Sequence, residues 1–215
     1  MTTTNELTAT RQTELSRAHR RLIDKHLLNA EDDAVSVLIP GARRMLYRAR
    51  DDAEARHLAF SGLTGLPALH ARSYELRPDA GALASVTTPA GSALAESGVH
   101  VPIVFDEQAR HVGETWSNVS STQLATALAT GSNAGLLDGR LLLLGVTPSR
   151  MVFNAELFEK CARAYLLARG AASGRTIHLV PFWVRLIARH RLRRDQANAA
   201  RCHAAGREAP ELIAY

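Results

Sequence analysis

The residues best suited to acid–base chemistry in this chain sit in one short run, Phe105-Asp-Glu-Gln-Ala-Arg-His111. Paired acids, or an Asp–His couple such as Asp106 with His111, can pass protons when a fold holds them at a cleft. The same run also reads as a helix start, with acids in the first turn and Arg110 and His111 later. A second set is hydroxylic: Ser85, Thr87 and Thr88 are nearly adjacent, and Thr147 follows a later apolar run. Hydroxyls can hydrogen-bond a carboxylate, a carbonyl or a phenol. No His or Lys stands beside these in sequence, so a nucleophile would lack its base. They can equally satisfy buried backbone ends. Lysine occurs only at Lys25 and Lys160, so arginine carries nearly all the positive charge. Arg48, Arg72 and Arg150 are read as anion-binding residues, because a guanidinium takes phosphate or carboxylate with two parallel hydrogen bonds. Plain surface placement is the alternative for each. No His pair is spaced i, i+4, and Cys161 and Cys202 lack metal-ligand spacing, so neither a metal nor another cofactor is expected.

The bulk properties narrow the setting. A chain of 215 residues with 46% hydrophobic and 22% charged residues fits one globular domain with a sizeable core. No apolar run approaches the ~18 residues that would span a membrane. The opening Met1-Thr-Thr-Thr-Asn-Glu has neither a basic nor an apolar leader segment, so a cytoplasmic protein is expected. Cys161 reads as a small core residue, and a disulfide is not expected in a reducing compartment. The densest basic cluster, Arg185–Arg194, lacks interleaved aromatics. It reads as a solvated helix face or a contact with a neighbouring subunit, and nucleic acid is not the expected partner.

These residues need elements to position them. Leu15, Ala18, Leu22, His26 and Leu27 recur at helical spacing, which predicts an amphipathic helix over 11–29, with 1–10 a flexible N-terminus. Ala34–Ile39 and Arg44–Arg48 read as strands around a Pro40-Gly41 turn. Asp51–Arg56 reads as a charged surface helix or loop. A helix over about 68–76 ends at Pro78. Gly81–Val86 reads as a buried strand, followed by a helix capped by Thr88 with Pro89 at its first position. Val101–Phe105 is extended or a short strand, and Ser120-Ser-Thr-Gln123 matches a capping box for a helix to about Thr130. Leu141–Leu144 reads as a buried strand. Met151–Phe153 reads as another after a Pro148 turn, with Asn154 capping a helix over 155–172. The remainder, 174–215, forms a C-terminal helical extension, helical from Phe182 to about Ala205. The result is a single α/β domain with a mixed or antiparallel central sheet and helices on its faces.

One block carries a resemblance. His70-Ala-Arg-Ser-Tyr-Glu-Leu-Arg-Pro-Asp-Ala-Gly-Ala82 resembles the H-x-x-x-Y-x-x-R-P-D-x-x-A segment of the class II aldolase/adducin family. The order of later elements agrees over roughly residues 13–172. The resemblance implies a class II aldolase-like fold, a homotetramer, and a cleft between subunits. It also implies what has been lost. The family's two metal-binding histidines fall on Ser85 and Thr87, its third near Gly145–Thr147, and its catalytic carboxylate on Leu66. Its phosphate-binding turn falls near Tyr47–Arg50, and the Gly-Asn before its first strand on Asp33-Ala34.

By the same alignment Ser85, Thr87, Thr88 and Thr147 cluster where the metal would sit, with Arg48, Arg72 and Arg150 at the rim. Asp106 takes the place of a proton donor given to a neighbouring subunit. His70 reads as packing against the sheet and hydrogen-bonding to it, with catalysis as its alternative role. Hydroxyls are poor ligands for a catalytic divalent ion, which normally keeps three protein ligands. The leading expectation is a metal-independent lyase-type enzyme (decarboxylase, cyclase or aldolase-like) acting on a small oxygenated or carboxylated substrate. The alternative is a non-catalytic relative that binds, scaffolds or regulates. The two differ in whether Asp106 or His111 faces the hydroxyl cluster, or whether Leu66 and other apolar side chains fill it.

Overall fold

The computed structural model describes residues 4–171 and 176–211. A seven-stranded sheet has the order β3-β2-β1-β4-β7-β6-β5. Its strands are β1 (Ala34–Ile39), β2 (Arg44–Ala49), β3 (Arg56–Ala59), β4 (Ala82–Val86), β5 (Trp116–Val119), β6 (Ala134–Leu137) and β7 (Arg140–Gly145). All neighbours pair antiparallel except β5 with β6, which are parallel. The helices are α1 (Thr4–Asp24), α2 (Gly65–Leu76), α3 (Pro89–Ser97), α4 (Leu124–Ala129), α5 (Pro148–Ala171) and α6 (Phe182–Ala204). This is the expected α/β architecture, a mostly antiparallel mixed sheet covered by helices.

Strand alternation sorts the core into two layers. Val35 and Val37 of β1, Ala84 and Val86 of β4, and Leu141 and Leu143 of β7 face α1, α3 and α5. Leu83, Leu142, Leu144 and Tyr47 face α2 and α4. No helix among the described residues is long and apolar enough to cross a membrane. Cys161 is a buried member of the α5 layer, and burial pushes its thiol up to about 12.

Two glycines allow close approach. A Cβ on Gly135 of β6 would run into the Trp116 indole, whose Nε1–H donates to the Leu136 carbonyl at 3.1 Å. A Cβ on Gly145 would meet the backbone of Met151, so this residue lets α5 start directly over the end of β7.

Several sequence expectations change. α1 begins at Thr4, so residues 4–10 of the expected flexible N-terminus are helical, and residues 1–3 lie outside the described residues. Met151–Phe153 is not a strand. Pro148 opens α5 rather than a turn, in the first-turn position where proline's missing N–H costs nothing. Asn154 is therefore no cap. It lies inside the helix, fully buried, and its Nδ2 donates to the Leu144 carbonyl at 2.7 Å. β3, β5 and β6 were not anticipated; each has four residues, too few for a periodic pattern. The Thr88 cap forms as expected, accepting from Gly91 N–H at 3.0 Å, and the Ser120–Gln123 capping box closes as a 3₁₀ turn leading into α4.

The segment after α6 folds back against the start of α5 and against α1. Ala209 packs on Val146 and Ala199, and Ser149 Oγ donates to Glu211 at 2.6 Å. Glu208 pairs with Arg11 of α1 at 3.1 Å, although Arg11 is only 2% exposed. Residues 174–175 and 212–215 of the predicted extension, and Ala172, lie outside the described residues.

Candidate functional site

The expected hydroxyl cluster is split between the two ends of the sheet. β4 and β7 pair with Ala82 opposite Gly145 and Val86 opposite Leu141. Thr147 therefore lies past the Ala82 end, while Ser85 and Thr87 lie at the Val86 end, on the order of 20 Å away at ~3.3 Å per residue. The hydroxyl of Thr147 accepts from Arg150 N–H at 3.2 Å and caps α5, as Thr88 caps α3.

At the Val86 end, the polar side chains form two closed sets. In the first, Ser36 Oγ lies 2.7 Å from His70 Nδ1 and 2.9 Å from the Tyr74 hydroxyl, and His70 Nε2 lies 2.8 Å from Ser85 Oγ. Sequence alternation explains the alignment. Ser36 and Ser85 sit on the same face of adjacent strands, and α2 lays His70 and Tyr74 over them. His70 is fully buried. Burial, with a smaller push from the Arg140 charge, holds its imidazole down at about 3. The ring is neutral, with one N–H and one lone pair to close the chain of hydroxyls. Both nitrogens of His70 are engaged within this buried set.

The second set was missed by sequence reasoning. Asp33, fully buried just before β1, accepts from the backbone N–H groups of Asn29 at 2.7 Å, Ala30 at 3.0 Å and Thr87 at 3.0 Å. Its other oxygen accepts from Arg140 Nη1 at 2.5 Å. Arg140 Nη2 donates to Asp32, whose carboxyl that contact holds below the usual carboxylate range. Arg140 opens β7, on the same sheet face as Leu142 and in register with Thr87. The signal available in the sequence was a charged residue, Asp33, at the threshold of an otherwise apolar strand.

The remaining expected residues disperse. Arg48 donates to the carbonyls of Asp52 and Ala53, both at 3.0 Å, and so holds the β2–β3 turn. Arg72 is an exposed partner of Glu75 on α2. Asp106 is exposed, and its Oδ1 accepts from Glu107 N–H at 2.9 Å, the helix-start alternative. It precedes a π-helical turn, Gln108–Val112, which runs beside α5 and presents His111 to Arg150. His111 Nδ1 accepts from Arg150 Nη1 at 3.2 Å, and its ring meets Phe153 edge-on at 5.1 Å. Burial first, then the charges of Arg150 and Arg110, bring His111 down to about 4. Asn133, at the head of β6, donates to the His111 carbonyl at 2.8 Å while Leu144 N–H bonds to the Asn133 carbonyl, which places His111 at the Thr147 end. His111 and Arg150 therefore meet each other and not Ser85 or Thr87.

No protein-family model and no curated protein matches the sequence. Solved structures do match. An L-fuculose 1-phosphate aldolase superimposes with a TM-score of 0.72 at 17% identity, covering 86% of this chain and 96% of that one. The chain has the class II aldolase fold. YgbL from Klebsiella pneumoniae, for which aldolase, epimerase and decarboxylase activities are named as alternatives, gives 0.71 at 17% identity over 84% of this chain and 98% of that one. An L-fuculose 1-phosphate aldolase from Glaciozyma antarctica gives 0.67 at 15% over 98% and 96%.

On a class II aldolase fold the natural question is whether the family's divalent ion would be held. The residues present do not fit it. Ser85 is consumed by His70, and Thr87 offers a neutral hydroxyl. The third ligand position cannot be Gly145–Thr147, which lie at the other end of the sheet. The β6–β7 turn, Asp138-Gly139, is what adjoins the end of β4, and beside it the guanidinium of Arg140 already occupies the carboxylates of Asp33 and Asp32. Among the described residues no three His, Cys, Asp or Glu side chains converge. Leu66, at the carboxylate position, packs on the apolar layer of α2.

Proposed function

We propose that this chain has kept the class II aldolase fold without its metal-dependent chemistry and serves as a non-catalytic binding or regulatory protein. The observation that carries this reading is the closed polar set at the end of β4. Ser85 is engaged by His70, and the positive charge beside them belongs to Arg140, already paired with Asp33 and Asp32. A polar group committed to buried partners cannot turn to a substrate without leaving one of them unsatisfied, at a cost of about 1–3 kcal/mol.

The test is a metal titration by calorimetry joined to an assay with L-fuculose 1-phosphate, using zinc, cobalt and manganese in turn. The expected result is neither saturable metal binding nor cleavage. Stoichiometric binding with retro-aldol turnover would overturn the reading.

A second reading, a metal-independent lyase on a small oxygenated or carboxylated substrate, draws on His111. It is the half-buried imidazole among the expected site residues, held neutral beside the cation of Arg150. A neutral base next to an anion-binding guanidinium is a workable pair for proton abstraction from a carboxylated molecule. Under this reading His111→Gln abolishes turnover of whatever substrate is found, and Asp106→Asn leaves it unchanged.

The reading also includes self-assembly. Trp183 and Ile187 of α6 are 69% and 55% exposed on one side of the helix. At about 100° per residue they lie across the helix from Arg185, Arg189 and Arg193, and a second copy would cover this apolar side. Light scattering on the purified chain should give a homo-oligomer, the tetramer being the form the resemblance implies, and a monomer at micromolar concentration would remove this part.

A further inference from the structure

A groove of about 550 Å³ runs between the N-terminal half of α6 and the segment leading from the π-helical turn into β5. One wall is a ladder of arginines. Arg185, Arg189 and Arg193 recur every four residues and so share a helix face. Neighbouring rungs lie about 6 Å apart and the ladder is about 12 Å long. The body of the groove is apolar, with Phe182 and Leu186 from α6 and Ile103 and Trp116 opposite.

Charge in this groove is unbalanced. Among the described residues α6 makes one ion pair, Arg110 with Asp195, and none of the three ladder arginines takes part. Glu114 is the acid among the lining residues. The Nε–H of Arg185 is buried without a hydrogen-bond partner. A buried donor left unpaired is costly, and an acceptor arriving with a ligand would remove that cost. Arginine forks match phosphate oxygens in pairs, and one phosphate has enough oxygens to face two rungs at once. The volume lies within the range of small-molecule sites, which are mostly apolar with a few placed polar groups.

We propose that this groove binds a small amphiphile that carries a phosphate on an apolar body. The phosphate sits on the Arg185–Arg189–Arg193 ladder, and the apolar part lies between Leu186 and Trp116. The groove shares no residue with the closed polar sets at the end of β4, and the proposal stands whether or not the chain catalyses anything.

Isothermal titration of the full chain with monomeric decyl phosphate tests it, with inorganic phosphate and decanol as controls. The expected result is saturable binding of one decyl phosphate per chain and binding at least tenfold weaker for either control. Arg189→Glu with Arg193→Glu should weaken binding about ten- to a hundredfold, as expected for lost charge-assisted hydrogen bonds. Arg191→Glu with Arg194→Glu makes the same charge change off the groove and should stay within about twofold. The milder pair Arg189→Gln and Arg193→Gln, checked by thermal melting, replaces the reversal if that variant does not fold, and should weaken binding at least tenfold. Equal losses in the ladder and off-groove pairs would overturn the proposal. So would binding confined to phosphatidylglycerol vesicles, or no binding because a second copy covers the groove.

Discussion

At the end of β4, Ser36, His70, Ser85, Asp33 and Arg140 all have named partners, and all but Arg140 are buried. Along α6, three arginines face a groove with no carboxylate paired to them among the described residues. Both regions are rich in polar groups, yet they hold opposite balances. The first has satisfied its hydrogen bonds from within the chain, which is how a polar cluster becomes structure. The second holds surplus charge against apolar walls, which is how a surface remains able to bind. Resemblance to an enzyme thus locates a site without saying whether its residues are still available.

The comparison is most exposed to Arg140→Ala. Removing one partner of a buried pair leaves an uncompensated charge and costs about 3–5 kcal/mol. Asp33 keeps three backbone N–H donors, which places the expected loss near the lower end, about 3 kcal/mol by urea denaturation. A loss under about 1 kcal/mol would mean that the β4 end is not a closed structural unit. Next comes Ser85→Ala, which strands one nitrogen of His70. The expected cost is about 1–3 kcal/mol, with Ser36→Ala similar because it also releases Tyr74.

The pH dependence sharpens the same contrast. His70 falls from an ordinary value of 6.5 to about 3 on folding, so the unfolded chain binds the extra proton first as pH drops. Its stabilising contribution is complete above about 6.5 and is lost progressively toward about 3, by up to about 1.4 kcal/mol per pH unit. His111, at about 4, acts in the same direction over part of that window. His70→Gln should therefore flatten the slope without removing it, and a slope unchanged by that substitution would contradict a neutral buried ring. The smallest effect belongs to Arg72→Ala. Its exposed contact with Glu75 is worth well under 1 kcal/mol, and a larger loss would mark Arg72 as part of a site after all.

Much of the fold was readable because its signals are local. Thr88-Pro89 announced α3, Ser120 and Gln123 announced a helix start, and Gly81–Val86 was apolar enough to be a central strand. The start of α5 was misread because proline opens helices as readily as it ends other elements, and Met-Val-Phe suits either period. The site was far less legible. The Arg140–Asp33 bond joins residues 107 positions apart, and no spacing rule reaches across such a distance. His70 could be identified as a sheet-facing residue, but its second serine, Ser36, became visible only when β1 and β4 were paired. Thr147 was misplaced for the converse reason, since adjacency to an apolar strand does not say at which end of the sheet that strand stops.

Arg11 lies where α1 meets the segment after α6. Its guanidinium is almost wholly buried, with one carboxylate partner a turn away at Glu14 and the other at Glu208. Glu14 neutralises that charge from within α1, and Glu208 adds a second acceptor from the segment after α6. One buried guanidinium therefore fastens α1 to a segment nearly two hundred positions away, and peeling that segment off would open the Arg11 side of α1 to water.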